Sequence, residues 1–303
     1  MQDKNIIREI QLEGIKMLHR FDEICKRHDI RYFACDGTLL GAIRHNGYIP
    51  WDDDLDVGIL REDFEKLSEV PKEEWGDDYE LISPDMPDIK HDKIFPRVYI
   101  KNSKIQSKRD VENWIDPTTG KAWNTSVMLD LFIFDHMPEN KSDYMAICKD
   151  IENSSKKYIS SKLKANCKFS PNASFVKKSL KRMYGGFERM TKKEPWKDIY
   201  EKHVNMIKSS KCGNKISCYY DNYYHDFYFE EEDIYPLAEI KFEDLMIPVP
   251  KNYLKFLTKA YGDTYMEFPP EEDRYHINFI YADLGNGKKY VIDPIPGSLG
   301  AEK

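Results

Sequence analysis

Apolar and polar positions along this chain switch between two periods, and each switch marks an element. Over residues 4–28, Ile7, Ile10, Leu18, Phe21, Ile24 and Cys25 recur at helical spacing, which predicts an amphipathic opening helix packed beneath a sheet. Residues 30–35, 54–59, 79–82 and 94–100 read as strands, with helices predicted over 37–44 and 61–69. Residues 127–134 form a near-continuous apolar run, the pattern of a strand covered on both faces. A second helix-rich stretch follows over 142–212, and a short helix over 254–261 ends at Gly262 before a Gly- and Pro-bearing tail expected to wrap the core or fray. Strands interleaved with helices in this order predict an α+β fold. It has a mixed-sheet core with flanking helices over 1–141, a basic helical insertion over 142–212 and an aromatic-rich part over 213–303 that completes the core and cleft.

The chemistry concentrates where the strand at 54–59 begins. Asp52, Asp53, Asp54 and Asp56 place four carboxylates in five positions, flanked by Trp51, Leu55, Val57 and Ile59. Carboxylates so crowded repel one another and cost desolvation unless a cation sits among them. Side chains two apart on a strand share a face, so Asp54 and Asp56 point together while Leu55 and Val57 pack. Asp52 and Asp53 are assigned to the turn before the strand. A third carboxylate, Asp130, lies inside the apolar run at 127–134, where it needs a metal, a base role or a local arginine to account for it. Asp135, just beyond that run, is read as a strand-end turn residue. Oxygen ligands of this kind suit Mg²⁺ or Mn²⁺ beside a phosphate.

Composition narrows the class. At 303 residues with 33% charged side chains, the chain can bury a large core, and its apolar runs are too short to span a membrane. No signal-peptide pattern opens it, so a cytoplasmic setting is expected. Six cysteines (Cys25, Cys35, Cys148, Cys167, Cys212 and Cys218) show no paired metal-type spacing; a zinc site from the last four is the minor alternative. Charge is uneven. Residues 156–193 hold twelve Lys or Arg against Glu188 alone, a net +11 in a chain of net −7. That segment is a candidate for peripheral contact with an anionic membrane, with a solvated helical face as the plain alternative. No nucleic-acid reader motif accompanies the bases, and no nucleic-acid partner is expected. Residues 109–124 read as a turn-rich loop carrying Trp114 and Trp123, a candidate lid. The aromatic run over 219–229 is a candidate stacking platform or core.

One stretch carries more than periodicity. Asp36-Gly37-Thr38-Leu39-Leu40-Gly41-Ala42-Ile43-Arg44, then Ile49-Pro50-Trp51-Asp52-Asp53-Asp54-Leu55-Asp56-Val57-Gly58 and Arg61-Glu62-Asp63-Phe64, resembles the LicD family. These are phosphotransferases of the nucleotidyltransferase superfamily, a group that includes fukutin-related protein. The resemblance covers residues 5–135 and resumes over 236–276, through Ile247-Pro248-Val249-Pro250, Tyr261-Gly262-Asp263 and Phe268-Pro269-Pro270-Glu271-Glu272-Asp273-Arg274. It implies that Gly37 and Thr38 open a helix that holds donor phosphates, that Asp54 and Asp56 are the metal pair, and that Asp130 is the third carboxylate. Asp36 departs from the commoner pattern, where relatives often carry Gly.

The implied reaction is Mg-dependent transfer of a phospho-alcohol from a CDP-activated donor to a hydroxyl of a cell-surface glycan or its lipid-linked precursor, releasing CMP. Arg44 and Arg97 are expected to contact donor phosphate, with Asp36, His45, Trp51, Asp53, Lys93 and Arg274 as further substrate contacts. Choline, ethanolamine, glycerol and ribitol donors are all compatible with the sequence. Two other classes stay open: a nucleotidyltransferase moving NMP from an NTP with release of pyrophosphate, and a non-catalytic glycan-binding scaffold.

Overall fold

A computed structural model describes residues 2–84, 95–114, 122, 124–161, 196–220, 226–274, 278–296 and 298–301. The opening helix α1 (Gln2–Arg27) buries Ile6, Ile7, Ile10, Met17, Leu18, Phe21, Ile24 and Cys25, the stripe its periodicity predicts. Strand β1 (Tyr32–Ala34), helix α2 (Asp36–His45), strand β2 (Leu55–Leu60) and helix α3 (Arg61–Ser68) follow, each within a residue or two of expectation. Next come β3 (Tyr79–Ile82), β4 (Arg97–Ile100) and β5 (Lys104–Ser107).

The 109–124 interval is not all loop. A short helix α4 (Lys108–Asn113) opens it, because Ser107 Oγ accepts from the Asp110 N–H at 3.1 Å and Asp110 Oδ2 accepts from the Ser107 N–H at 3.0 Å. That reciprocal cap starts a helix where composition alone argued for turns. Trp123 lies outside the described residues.

The long strand β6 (Met128–Pro138) organises the molecule. It runs parallel to β2 along one edge, with Asp56 opposite Asp130. Along its other edge its start pairs with β4 and its end with β7 (Cys212–Cys218), both antiparallel. With β8 (Tyr228–Glu230) beside β7, seven described strands make one mixed sheet. Gly58 on β2 is required by packing: a Cβ there would come within 2.4 Å of the Phe33 ring and 3.0 Å of Phe134. Phe256 and Phe229 stack beneath, with centroids 4.7 Å apart.

Helices α5 (Lys141–Ser161) and α6 (Trp196–Lys208) flank the end of β6 over a second apolar cluster that includes Tyr144, Ile151, Trp196, Tyr200, Tyr219 and Tyr220. The basic interval falls largely between them, and its residues 162–195 lie outside the described ones. Asp135 is no turn residue. It sits inside β6, buried, and Arg61 Nε and Nη2 donate to its two oxygens at 2.9 and 2.7 Å, with Arg61 Nη1 on Tyr200 Oη at 3.0 Å. The strand continues past Asp135 because that charge is fully paired where it is buried.

After a single-turn helix α7 (Glu231–Ile234), the hairpin β9 (Ala238–Phe242) and β10 (Leu245–Val249) returns to α1 through Glu243. Its carboxylate accepts from Arg8 Nη1 at 2.8 Å and Nη2 at 2.9 Å. Helix α8 (Tyr253–Tyr261) ends at Gly262, whose φ of 79° lies in the left-handed region, as expected of a glycine stop. The tail is more ordered than a fraying end. Strand β11 (Phe279–Asp283) pairs with β5 and with β12 (Lys289–Val291). Among the described residues no helix is long and apolar enough to cross a membrane, and no three cysteines gather as for a metal.

Candidate active site

The first turn of α2 faces the start of β2, and three contacts fix the pair. The Cys35 N–H donates to the Asp56 carbonyl at 3.2 Å, the Asp56 N–H donates to Thr38 Oγ1 at 2.7 Å, and the Gly37 N–H donates to Asp56 Oδ2 at 3.0 Å. A Cβ on Gly37 would come within 2.8 Å of Asp52 Oδ2 and 3.0 Å of Asp56 Oδ2, so a larger residue there would have to displace a carboxylate. Gly37 and Thr38, expected at donor phosphates, are seen here orienting a carboxylate. The anion at this helix N-terminus is Asp56 itself.

Parallel pairing of β2 with β6 sets Asp130 beside Asp56, and Asp54 completes the group from the residue before β2. One oxygen from each of Asp54, Asp56 and Asp130 lies within 4.8 Å of the other two, and the same holds for Asp52, Asp53 and Asp54. Desolvation pushes the Asp56 carboxyl well up, reinforced by Asp54, Asp36, Asp130 and Asp52. Desolvation, then Asp54 and Asp53, does the same to Asp52. Asp36 is pushed up to about 6 by burial. Carboxylates held in this state are short of positive charge, which a divalent cation on oxygen ligands would supply.

Asp36 also has a φ of 40°, a left-handed value that favours glycine. Backbone geometry therefore accounts for the glycine that the LicD resemblance leads one to expect there.

Arg97 is fully buried on β4 opposite Asp130, with Nη2 donating to Asp130 Oδ2 at 2.9 Å and Nε 2.5 Å from Oδ1. It was expected at a donor phosphate; the visible partner is the third carboxylate. Of the three accounts of Asp130, a metal, a base role and a local arginine, the arginine is the one seen, and the same carboxylate belongs to the group with Asp54 and Asp56.

Arg44 lies in the last turn of α2, where its Nη1 donates to the Tyr265 and Glu267 carbonyls at 3.1 Å each. Its guanidinium carbon is 5.9 Å from the Trp51 ring centroid and 5.1 Å from that of Phe268. Arg274 approaches the same rings at 5.1 and 5.4 Å, and the His45 ring contacts both. Asp53 is half-buried beside Asp54, and Lys93 lies outside the described residues.

Three residues went unselected in the sequence. Asp52 was set aside as turn chemistry, yet its carboxylate packs against Gly37. Gln11, buried on α1, holds the approach to β2 through Nε2 bonds to the Ile49 and Asp52 carbonyls at 3.1 and 2.8 Å. A polar residue on the apolar stripe of α1 was its signal. Tyr261 ends α8, and desolvation together with Asp36, Asp56 and Asp52 pushes its phenol up.

Carboxylates on adjacent strands, facing a glycine-bearing helix start in an α+β fold, define a nucleotidyltransferase-like site. The chain belongs to the LicD family: the family model described as LicD/FKTN/FKRP, nucleotidyltransferase domain, matches residues 29–137 and 140–252. It is 27% identical over 286 residues to the lipopolysaccharide cholinephosphotransferase LicD of Haemophilus influenzae, covering 92% of this chain and 98% of that one. Over 34 residues it is 56% identical to the ribitol 5-phosphate transferase FKRP of Homo sapiens, which is 11% of this chain and 7% of that one. An uncharacterized protein of Rickettsia prowazekii is 39% identical over 70 residues, 21% of this chain and 26% of that one.

Proposed function

We propose that the chain is a transferase that moves a phospho-alcohol, phosphocholine or a close relative, from a CDP-activated donor to a hydroxyl of a surface glycan or its lipid-linked precursor. The observation that carries this reading is similarity along nearly the full length of a protein named as a lipopolysaccharide cholinephosphotransferase. The carboxylate cluster supports it.

Asp54, Asp56 and Asp130 would hold Mg²⁺, or Mn²⁺ in its place, and the ion would neutralise charge that develops on the departing CMP. The rest falls to the protein. Thr38 and Gly37 fix Asp56 from its backbone and its carboxylate. Arg97 contacts both oxygens of Asp130, which leaves that side chain poorly placed to accept a proton. Phosphoryl transfer needs positioning and charge neutralisation more than covalent help. The acceptor oxygen forms the new bond to phosphorus as the bond to the CMP oxygen breaks, and the hydroxyl proton leaves to a carboxylate of the cluster.

Chromatography of nucleotide products separates this reading from its rival. CDP-choline, CDP-ethanolamine, CDP-glycerol, CDP-ribitol and plain NTPs are each incubated with the chain, Mg²⁺ and candidate glycans. CMP from one CDP donor is the expected result. Pyrophosphate from an NTP, with no CMP from any donor, would make the chain a nucleotidyltransferase instead.

A further inference from the structure

Arg44 and Arg274 come from distant parts of the chain and converge on one pair of rings, Trp51 and Phe268. Both arginines are half-buried, and Phe268 is 54% exposed, so the cluster faces solvent. Their polar contacts are to neutral groups. Arg44 donates to the Tyr265 and Glu267 carbonyls and from Nε to His45 at 3.1 Å, and Arg274 Nε donates to the Pro269 carbonyl at 2.8 Å. Among the described residues neither arginine has a carboxylate within ion-pair distance, in a chain with 53 Asp and Glu.

Two like charges gathered on the same rings repel, and burial, together with Arg274, holds the Arg44 guanidinium below its ordinary value. His45 brings no compensating negative charge; burial and Arg44 push its imidazole down. Cation–π contact with the two rings offsets part of the repulsion. Among the described residues, what this arrangement lacks is an anion. A planar fork of N–H groups beside a second one matches a phosphate or carboxylate. It does not match a quaternary ammonium: both rings that could cage one already carry guanidiniums.

The position argues for the acceptor. Trp51 directly precedes the carboxylate run at Asp52, Asp53 and Asp54, which ties the arginines to that run through its ring. On the transfer reading, a cation at Asp54, Asp56 and Asp130 would take up the charge of the donor diphosphate, which leaves the arginines to an anion on the second molecule. We propose that Arg44 and Arg274, held on Trp51 and Phe268, form a subsite for an anionic substituent, phosphate or carboxylate, on the acceptor sugar. This assignment rests on the transfer reading above.

Calorimetric titration of the full chain without added metal tests it, using glucose 6-phosphate and glucuronate, with glucose as the neutral control. The expected result is binding of both anionic sugars and not of glucose. Affinity should fall at least tenfold in Arg274→Gln and in Arg44→Gln and be kept in Asp54→Asn. Arg274→Lys, which keeps the charge but loses the planar stack, should fall between. A second arm titrates CDP-choline with Mg²⁺, and its affinity should survive Arg274→Gln. Equal binding of glucose and glucose 6-phosphate, or full affinity in both glutamine variants, would overturn the subsite. A loss of CDP-choline affinity as large as that of glucose 6-phosphate would give the arginines to the donor and overturn the acceptor assignment. None of these titrations needs turnover, so their failure is distinct from a failure to release CMP.

Discussion

At Asp56 the backbone N–H goes to Thr38 Oγ1 and one carboxylate oxygen takes the Gly37 N–H, so the orientation of this side chain is set by its neighbours on α2. Partners that orient metal-binding carboxylates typically matter 10- to 100-fold in metal affinity or activity. Thr38→Val should therefore lower Mg²⁺ affinity or turnover by about 10- to 100-fold; an unchanged Mg²⁺ titration would contradict this role. Asp36 offers the opposite test. Its left-handed φ costs about 1 kcal/mol in a non-glycine residue, and its carboxyl adds to the crowding at Asp56. Asp36→Gly should stabilise the metal-free protein in urea denaturation by about that amount. Destabilisation would mean that the Asp36 side chain supports the turn. Asp54, Asp56 and Asp130 were legible because a carboxylate flanked by apolar strand residues has few bland explanations. Asp52 was not, since an Asp before a strand has an ordinary turn reading. Nor was the partner of Arg97, because it depends on β4 pairing with β6 across thirty-odd residues.

Among the elements, β6 carries the most consequence: Asp130 near its start joins Asp54 and Asp56 in the carboxylate group, and Asp135 further on anchors α3 through Arg61. Removing one partner of a buried ion pair strands the other, so Asp135→Ala should cost about 3–5 kcal/mol in urea denaturation. A loss below 1 kcal/mol would show that water reaches Arg61. The extent of β6 was underread because the apolar run stops at Phe134, and the strand beyond it is held by an ion pair and by β7. On α6, burial holds His203 below its ordinary value against the opposing pull of Asp150. An unfolded histidine titrates near 6.5, so the folded state binds fewer protons around that pH. Its contribution is present above about 6.5 and is lost as pH falls toward the lower folded value. Melting temperatures of the wild type should therefore drop more steeply below pH 6.5 than those of His203→Gln; parallel curves would rule His203 out as the group responsible.

For the molecule as a whole, the sheet, the opening helix and the carboxylate centre could be anticipated because each has a local pattern. The closing contacts were legible only in part. Arg274 stands out through its motif and Gln11 as a polar residue on an apolar stripe, but the meeting of Arg274 with Trp51 and Phe268, and the three-stranded sheet that the tail builds through β5, follow from topology. On the proposed reading, Asp54, Asp56 and Asp130 form one metal-dependent centre for transfer from a CDP donor. The most direct measurement is CMP release from the preferred donor by wild type, Asp54→Asn and Asp130→Asn, with Mg²⁺ and with EDTA. Release by the wild type alone, abolished by EDTA and restored by Mg²⁺, is the predicted result. Undiminished release in either variant, or in EDTA, would contradict it.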